Sequence, residues 1–587
     1  MPESTRESAG SGSACRTAKA PEPSRAWTYR TVVWYLRVVA VLDLLGAVLS
    51  PLRRQLTAHN TGDFFTPYLV TAGFTAAGLA AFLSVMMRRR KRAAWIFNLV
   101  MTSLYLALVV VSLTALPGTR HHWFDWLSAA ITAGFFAVLL IGRRQFRARG
   151  DRSNPWLALG TLIVGGAAGA VVGTTLVSLT TAGSGSLAHR FQYALMRIYT
   201  LAPSSSGYAD VLPPRWVDVV INLLSLGVLL LVLYVLFRAP RGKRSLSSAD
   251  EDRLRELLDR YGAADSLGYF ALRRDKSALF SPSGKAAVTY RVEGGVCLAS
   301  GDPIGDVEAW PGAIEAWLAQ AREHAWIPAV MGASETAGTV YARHGLDALE
   351  LGDEAIVYAD EFTLEGRAMR TVRQAHKRIA RGGHTVRVRR HRDIPADELA
   401  ALVRLADRWR DGETERGFSM ALGRLGDPAD GDCVMAECLD ADGVPKALLS
   451  FVPWGTDGLS LDLMRRDRES DNGLIEYLVI ELVRNGVEAL GVRRVSLNFA
   501  MFRAVFERGS RLGAGPVLRA WRAVLLFLSR WWQIESLYRA NAKYRPEWVP
   551  RYLLFARSAD LPHIGFASMR AEGFVRVPRL RLPARSG

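Results

Sequence analysis

Six apolar segments in the first 237 residues constrain this chain more than any other feature. They run over 31–51, 66–87, 93–116, 123–142, 156–182 and 216–237. Each approaches or exceeds the roughly 20 residues that an α-helix needs to cross the hydrocarbon core of a bilayer. In lipid each backbone N–H and C=O has to be satisfied within its own segment, so runs of this length fold as helices. The expectation is a six-helix membrane bundle over 27–238, preceded by a polar tail over 1–26 that is rich in Ser, Ala, Pro and Gly and reads as disordered.

The charges between the segments give an orientation. Arg88, Arg89, Arg90, Lys91 and Arg92 separate the second from the third. Arg143, Arg144, Arg147, Arg149 and Arg152 separate the fourth from the fifth, and Arg238, Arg241, Lys243 and Arg244 follow the sixth. The opposite loops are poorer in positive charge. The positive-inside rule then puts both termini, and everything after residue 238, in the cytoplasm. Gly165, Gly166, Gly169 and Gly173 in the fifth segment read as a close helix-packing face. Arg37 lies near enough to an end of the first segment to snorkel, which leaves Asp43 as the ionisable candidate within the bilayer. The stretch 183–214 reads as an external loop.

After a polar linker over 239–252 the pattern changes. Short apolar runs of strand length alternate with amphipathic helical stretches, the mark of an α/β or α+β domain. Runs at 277–290, 295–300, 327–331 and 349–358 read as strands, with helices at 311–324 and 339–344. A similar order recurs after residue 385. Strands are expected at 386–388, 434–437, 447–453, 459–463 and 495–499, and helices at 398–409 and 474–490, the latter capped by Asp471 or Asn472. The repetition suggests two units, 253–385 and 386–562, followed by a basic tail over 563–587.

The formal net charge of +18 favours polyanionic partners, either nucleic acid or anionic lipid. Much of that charge falls in one place. Arg367, Arg370, Arg373, Lys377, Arg378 and Arg381 cluster at helical spacing, and Arg387, Arg389 and Arg390 follow. Four cysteines are too few for a disulfide scaffold, and Cys433 and Cys438 have no second pair to complete a zinc site. No P-loop, dinucleotide fingerprint or nucleophile elbow is present, so neither a cofactor nor a metal is expected.

Tyr341-Ala342-Arg343-His344-Gly345-Leu346 resembles the closing helix-to-strand turn of acetyltransferase-type (GNAT) folds. In such folds a Gly-rich loop at a helix start offers N–H groups to a pyrophosphate. The corresponding loop here, Arg466-Asp467-Arg468-Glu469-Ser470-Asp471-Asn472-Gly473, carries acidic residues and one glycine, which argues against acetyl-CoA as donor.

From about residue 268 to 562 the chain resembles the catalytic domain of the phosphatidylglycerol lysyltransferase family (multiple peptide resistance factor type). The likeness is carried by Phe280-Ser281-Pro282-Ser283-Gly284-Lys285, Gly301-Asp302-Pro303-Ile304-Gly305, Gly417-Phe418-Ser419-Met420, Asp462-Leu463-Met464-Arg465 and Lys543-Tyr544-Arg545-Pro546-Glu547-Trp548, in that order. It is closest to the actinobacterial branch, whose members often carry a fused lysyl-tRNA synthetase. The sequence to residue 587 holds no such domain, and its six membrane segments are fewer than in larger members with a lipid-flipping module. The resemblance implies an α/β domain of two tandem GNAT-like folds. It implies an aminoacyl-tRNA donor, with lysyl-tRNA favoured, and the glycerol hydroxyl of phosphatidylglycerol as acceptor. The product lipid would carry added positive charge and lessen attack by cationic antimicrobial peptides. By the motif match Asp462, Arg465 and Lys543 are the candidate catalytic residues.

The residues themselves suit that chemistry in part. Transesterification needs an activated hydroxyl, a stabilised oxyanion and recognition of a cationic amino acid. In an alternating strand Ser460, Asp462 and Met464 share a face. Arg465 joins that face only if the strand ends near Leu463. The mixed block 408–419 reads as a substrate-side loop, which makes Glu413, Glu415, Phe418 and Ser419 substrate-binding candidates beside Ser460 and Asn472. Arg370, Arg373, Lys377 and Arg378 are candidates for tRNA or lipid phosphate. Trp521, Trp531 and Trp532, in an apolar stretch too charged to span, suit a membrane interface. The competing reading is a non-catalytic membrane scaffold or sensor whose GNAT-like domain binds lipid or RNA. Alanine, ornithine and arginine remain open beside lysine, and a homo-oligomer is open as well.

Overall fold

The computed structural model describes residues 26–48, 74–115, 123–146, 154–180, 185–198, 213–237, 245–410, 417–501 and 539–575. They fall into two units that part near residue 240.

The first unit is helical. Its helices are α1 (Ala26–Val48), α2 (Phe74–Arg88), α3 (Arg92–Ala115), α4 (Trp123–Ile141), α5 (Asn154–Thr180), α6 (Leu187–Ile198) and α7 (Arg215–Leu236). Among the described residues α3, α5 and α7 are long and apolar enough to cross a membrane by length and composition. Among the described residues, six of these seven helices fall on the expected segments. The exception is α6, which lies in the stretch read as an external loop. Its buried residues Tyr193, Ala194 and Ile198 form a stripe too short to stand out among polar neighbours. That stripe packs on the glycine face of α5. A Cβ on Gly169 would come within 3.0 Å of Ile198, and one on Gly173 within 3.1 Å of Ala194. Ser225 of α7 donates to the Ile198 carbonyl at 2.7 Å and closes the end of α6. Asp43 is buried on α1.

The second unit is built on one mixed sheet. Its strands are β1 (Ser277–Phe280), β2 (Ala286–Glu293), β3 (Val296–Ser300), β4 (Ile304–Gly305), β5 (Ile327–Ala333), β6 (Asp347–Tyr358), β7 (Thr385–Arg390), β8 (Val434–Leu439), β9 (Pro445–Trp454), β10 (Gly458–Arg466), β11 (Arg494–Met501) and β12 (Glu547–Phe555). They lie in the order β1-β2-β3-β5-β12-β6-β11-β10-β9-β8-β7, with β4 on β2. Among the described residues only β3–β5 and β10–β11 pair in parallel. The helices are α8 (Ser248–Tyr261), α9 (Trp310–Glu323), α10 (Glu335–Arg343), α11 (Arg370–Arg381), α12 (Ala396–Arg408), α13 (Leu474–Leu490) and α14 (Leu561–Ala571).

Three expected boundaries move. The break at 385/386 does not divide the sheet, because β6 pairs with β11 and β12 inserts between β5 and β6. Strand partners are chosen by tertiary packing, which a local pattern does not encode. The linker expected over 239–252 already holds the start of α8, whose N-cap Ser247 accepts from the Asp250 N–H. The tail expected from residue 563 begins inside α14, which buries Ile564, Ala567 and Ala571 in the core.

The two faces of β9–β11 differ in chemistry. Leu449, Phe451, Leu459, Leu461, Val495 and Leu497 pack into one core with residues of α11 and α13. The alternate positions on the other face include Ser450, Ser460, Ser496 and Asn498, all buried. A buried row of polar side chains costs stability unless it is satisfied or used.

Candidate active site at a splayed strand pair

Strands β10 and β11 pair only from Gly458 to Ser460, opposite Arg494 to Ser496. Both then become irregular. On β10, Leu461 stands opposite Phe451 and Leu463 opposite Ser450, so Asp462 is the extra residue of a β-bulge. On β11 the register to β6 shifts between Ser496 and Phe499, and Asn498 adopts a left-handed φ of 66°. A parallel pair that stops after three residues releases backbone groups. One of them, the Leu461 carbonyl, accepts from Asn498 Nδ2 at 2.6 Å.

The bulge changes which side chains share a face. Leu461 belongs to the core beside α13, whereas Leu463 packs in the opposite cluster with Leu448. Arg465 pairs with Leu448 and Met464 with Leu449. Arg465 therefore lies on the same face as Asp462. The strand does not end near Leu463, as the alternation required; it continues to Arg466 and reverses its parity. Asp462 is half-buried, and its Oδ1 accepts from the Leu422 N–H at 2.6 Å. The Ser460 and Ser450 hydroxyls are buried and have no hydrogen-bond partner among the described residues.

The polar row continues across the sheet. Ser496 and Ser266 donate to Glu354 Oε1 on β6. Arg551 on β12 donates from Nε to Glu354 Oε2 at 2.8 Å, from Nη1 to Asp265 Oδ1 at 2.8 Å, and from Nη2 to the Ser266 hydroxyl at 2.8 Å. Asp265 also accepts from the Asp302 N–H at 3.1 Å, and Asp302 accepts from the Ser334 N–H at 2.8 Å and its hydroxyl at 2.5 Å. Burial works to lower the proton affinity of Arg551, but Glu354, Asp265 and Asp302 outweigh it and hold the guanidinium charged. Burial, then the neighbouring Asp265, pushes Asp302 up to about 7.

Other expected site residues are placed elsewhere. Phe418 and Ser419 are interior. Glu572 accepts from the Phe418 N–H at 2.6 Å, the Ser419 N–H at 3.1 Å and the Ser419 hydroxyl at 2.5 Å. The Phe418 ring has Lys276 Nζ at 4.7 Å and Arg291 Cζ at 4.9 Å from its centroid. Both residues thus serve the core and not a substrate-side loop. Lys543 is ion-paired with Glu476 on α13 and is 44% exposed. Asn472 offers its backbone carbonyl to Arg378 Nη2 at 2.9 Å. Glu413, Glu415, Trp521, Trp531 and Trp532 lie outside the described residues.

The basic helix is present as α11. It buries Val372 and Ile379, while Arg370, Lys377 and Arg378 are exposed. Arg373, Lys377 and Arg381, one turn apart, line an open pocket of about 610 Å³ with Arg484, His376, Phe362 and Glu365. His376 Nε2 lies 2.5 Å from Glu481 Oε1. By contrast Arg387 and Arg389, expected to meet phosphate, are spent on Glu398 and the buried Glu437. Within the loop 466–473 the Ser470 hydroxyl donates to the Asp467 carbonyl at 2.6 Å.

Sequence reasoning missed Glu354, Arg551 and Asn498. A charge inside an otherwise apolar strand run was the available signal for the first two.

Residues 255–555 match the family described as phosphatidylglycerol lysyltransferase, C-terminal, and residues 24–237 match the transmembrane region of lysyl-tRNA synthetase. The chain belongs to the phosphatidylglycerol lysyltransferase family. It joins a helical region with apolar helices to a C-terminal domain built on a mixed sheet, and it is a membrane protein. It is similar to the lysylphosphatidylglycerol biosynthesis bifunctional protein LysX of Rhodococcus opacus, with 49% identity over 547 residues, covering 93% of this chain and 48% of that protein. The protein of the same name from Mycolicibacterium vanbaalenii is 46% identical over 564 residues, 95% of this chain and 51% of that protein. The chain spans about half the length of the curated relatives it matches. Among solved structures, that of L-PGS from Bacillus licheniformis is 24% identical and aligns with a TM-score of 0.46, over 55% of this chain and 96% of that one.

Proposed function

We propose that this chain is a membrane-bound transferase that moves lysine from lysyl-tRNA to the glycerol hydroxyl of phosphatidylglycerol. In this reading the helical region crosses the membrane six times, both termini are cytoplasmic, and the sheet domain is a fused tandem of GNAT-like folds. The ester between the lysyl carboxyl and the terminal ribose of the tRNA breaks. A new ester forms to the glycerol oxygen, and the proton of the glycerol hydroxyl ends on the ribose oxygen. No external oxidant, nucleotide or metal enters that balance.

The observation that carries the proposal is the bulge at Asp462. It sets an acid and Arg465 on one face of a strand pair that opens, in a chain of the lysyltransferase family. Asp462 orients the attacking hydroxyl or receives an ammonium group of the donor. Arg465 stabilises negative charge that develops on the ester oxygen. An acidic residue at the centre of the face favours a cationic amino acid, hence lysine. Arg373, Lys377 and Arg381 take tRNA phosphate, assisted by Arg370, and the exposed Lys543 meets phosphate nearer the acceptor end.

The test is transfer of radiolabelled amino acid from lysyl-, alanyl- and arginyl-tRNA into phosphatidylglycerol vesicles by the full-length protein. Lipid-borne label from lysyl-tRNA, abolished when the donor is first treated with RNase, is the expected result. Absence of label with all three donors would refute the reaction, and label from alanyl- or arginyl-tRNA alone would refute lysine.

A further inference from the structure

Asn498 occupies a position where side chains are rarely found. Its φ of 66° is left-handed, a conformation glycine adopts freely and asparagine tolerates. It is buried, with only 9% of the residue exposed. The amide has one fixed contact: Nδ2 donates to the Leu461 carbonyl at 2.6 Å. A carbonyl accepts only from the nitrogen, so this bond sets which end of the amide is which. The other end, Oδ1, is buried and has no hydrogen-bond partner among the described residues.

Leu461 lies between Ser460 and Asp462. The amide of Asn498 is thus anchored at the carbonyl of Leu461, the residue between the two on the open strand face. The Ser460 hydroxyl is fully buried and likewise without a partner among the described residues. Ser460 and the Asn498 amide, tied to the Leu461 carbonyl, therefore bring to the segment that carries Asp462 two oxygen acceptors without a partner among the described residues. Buried polar atoms left unpaired cost free energy, and such a cost persists where the atoms are used by a ligand. The set is acceptor-rich, and a primary ammonium, with three N–H donors and no acceptor, is the group it complements.

We infer that Asn498 Oδ1 and the Ser460 hydroxyl receive the α-ammonium group of the aminoacyl ester, so that Asn498 is a recognition residue for a free α-amino group. This rests on the transfer reading above, and it adds the specificity of the site: an amino acid acylated on its α-nitrogen has lost the charge and two of the three donors and is rejected.

Two variants separate recognition from structure. Asn498→Gly keeps the left-handed backbone without strain and removes only the amide. Ser460→Ala removes a hydroxyl that has no partner, so melting should be unchanged or slightly raised. Both are titrated as the full-length protein with 3′-lysylamido-adenosine, an amide-linked mimic of the charged tRNA end, and with its Nα-acetyl form. Lysyl-tRNA transfer is followed in parallel. Wild type should bind the free-amine mimic at least tenfold more tightly than the acetylated one. Asn498→Gly should reduce that ratio about tenfold, and Ser460→Ala should raise the KM for lysyl-tRNA several-fold at unchanged melting temperature. Equal binding of the two mimics by wild type overturns the inference. So does a folded Asn498→Gly protein that discriminates as wild type does, and if that variant does not fold, an unchanged Ser460→Ala KM does the same. Failure of the transfer assay in a wild type that still prefers the free amine strikes the reaction and leaves the recognition site standing.

Discussion

Arg551 on β12 donates to Glu354 on β6 at 2.8 Å, a buried contact between residues 197 positions apart. It fixes the last strand of the domain inside the first half of the sheet. Both side chains are almost fully buried, at 5% and 0% exposure. Removing one member of such a pair leaves an uncompensated buried charge, which costs about 3–5 kcal/mol. Arg551→Met should therefore lower the unfolding midpoint of the full-length protein sharply. The double variant Arg551→Met with Glu354→Leu should recover part of the loss, because Glu354 no longer stands as a lone charge, while Asp265 still lacks its partner. A single variant that melts like wild type would show that the pair does not hold β12 in place.

The fold was readable where physics is local. Apolar length gave α1 to α5 and α7, and helical spacing gave α13. Alternation put Ser460 and Asp462 on one face. It put Arg465 on the wrong one, because a bulge is an extra residue with no local signature and it reverses the parity behind it. Phe418 and Ser419 sit in a motif-like block, yet their partner Glu572 is more than 150 positions away. The insertion of β12 between β5 and β6 is likewise non-local. The unpartnered amide oxygen of Asn498 depends on a left-handed residue and an interrupted strand pair, neither of which hydropathy registers.

Lys276 offers a pH signature. It is fully buried, donates to the Phe270 carbonyl at 2.9 Å and the Ser300 hydroxyl at 2.6 Å, and is pushed from 10.5 down to about 7 by burial. Between those values the unfolded chain binds a proton that the folded chain does not. Charging of Lys276 in the unfolded chain therefore weakens the fold progressively as pH falls from 10.5 to 7, and the penalty is constant below 7. The stability of wild type relative to Lys276→Met should rise between pH 7 and 10, by at most about 1.4 kcal/mol per pH unit. A difference that stays flat over that range would mean Lys276 is charged in the folded protein at pH 9.

The α11 pocket predicts a salt effect. With Arg373, Lys377 and Arg381 on one helical stripe, Lys377→Glu combined with Arg381→Glu should raise the KM for lysyl-tRNA at least tenfold. The logarithmic dependence of affinity on salt should also weaken, by about 0.7–0.9 for each tRNA phosphate that the variant no longer neutralises. An unchanged slope would move the tRNA off this helix.

Lys543 and Glu476 form a partly exposed pair. Pairs of this kind contribute about 0–1 kcal/mol, so Lys543→Met should barely alter melting. If Lys543 meets phosphate, KM for lysyl-tRNA rises while kcat holds. A fall in kcat at constant KM would instead assign it to the reacting centre.

The most direct test concerns the bulged acid itself. Asp462→Asn keeps the shape and one oxygen acceptor for the Leu422 N–H but removes the charge. Lysine transfer from lysyl-tRNA to phosphatidylglycerol should be measured for wild type and variant at matched melting temperature. The account predicts at least a hundredfold loss of kcat/KM in a protein that remains folded. Transfer at the wild-type rate would contradict it and place the chemistry away from the β10–β11 face.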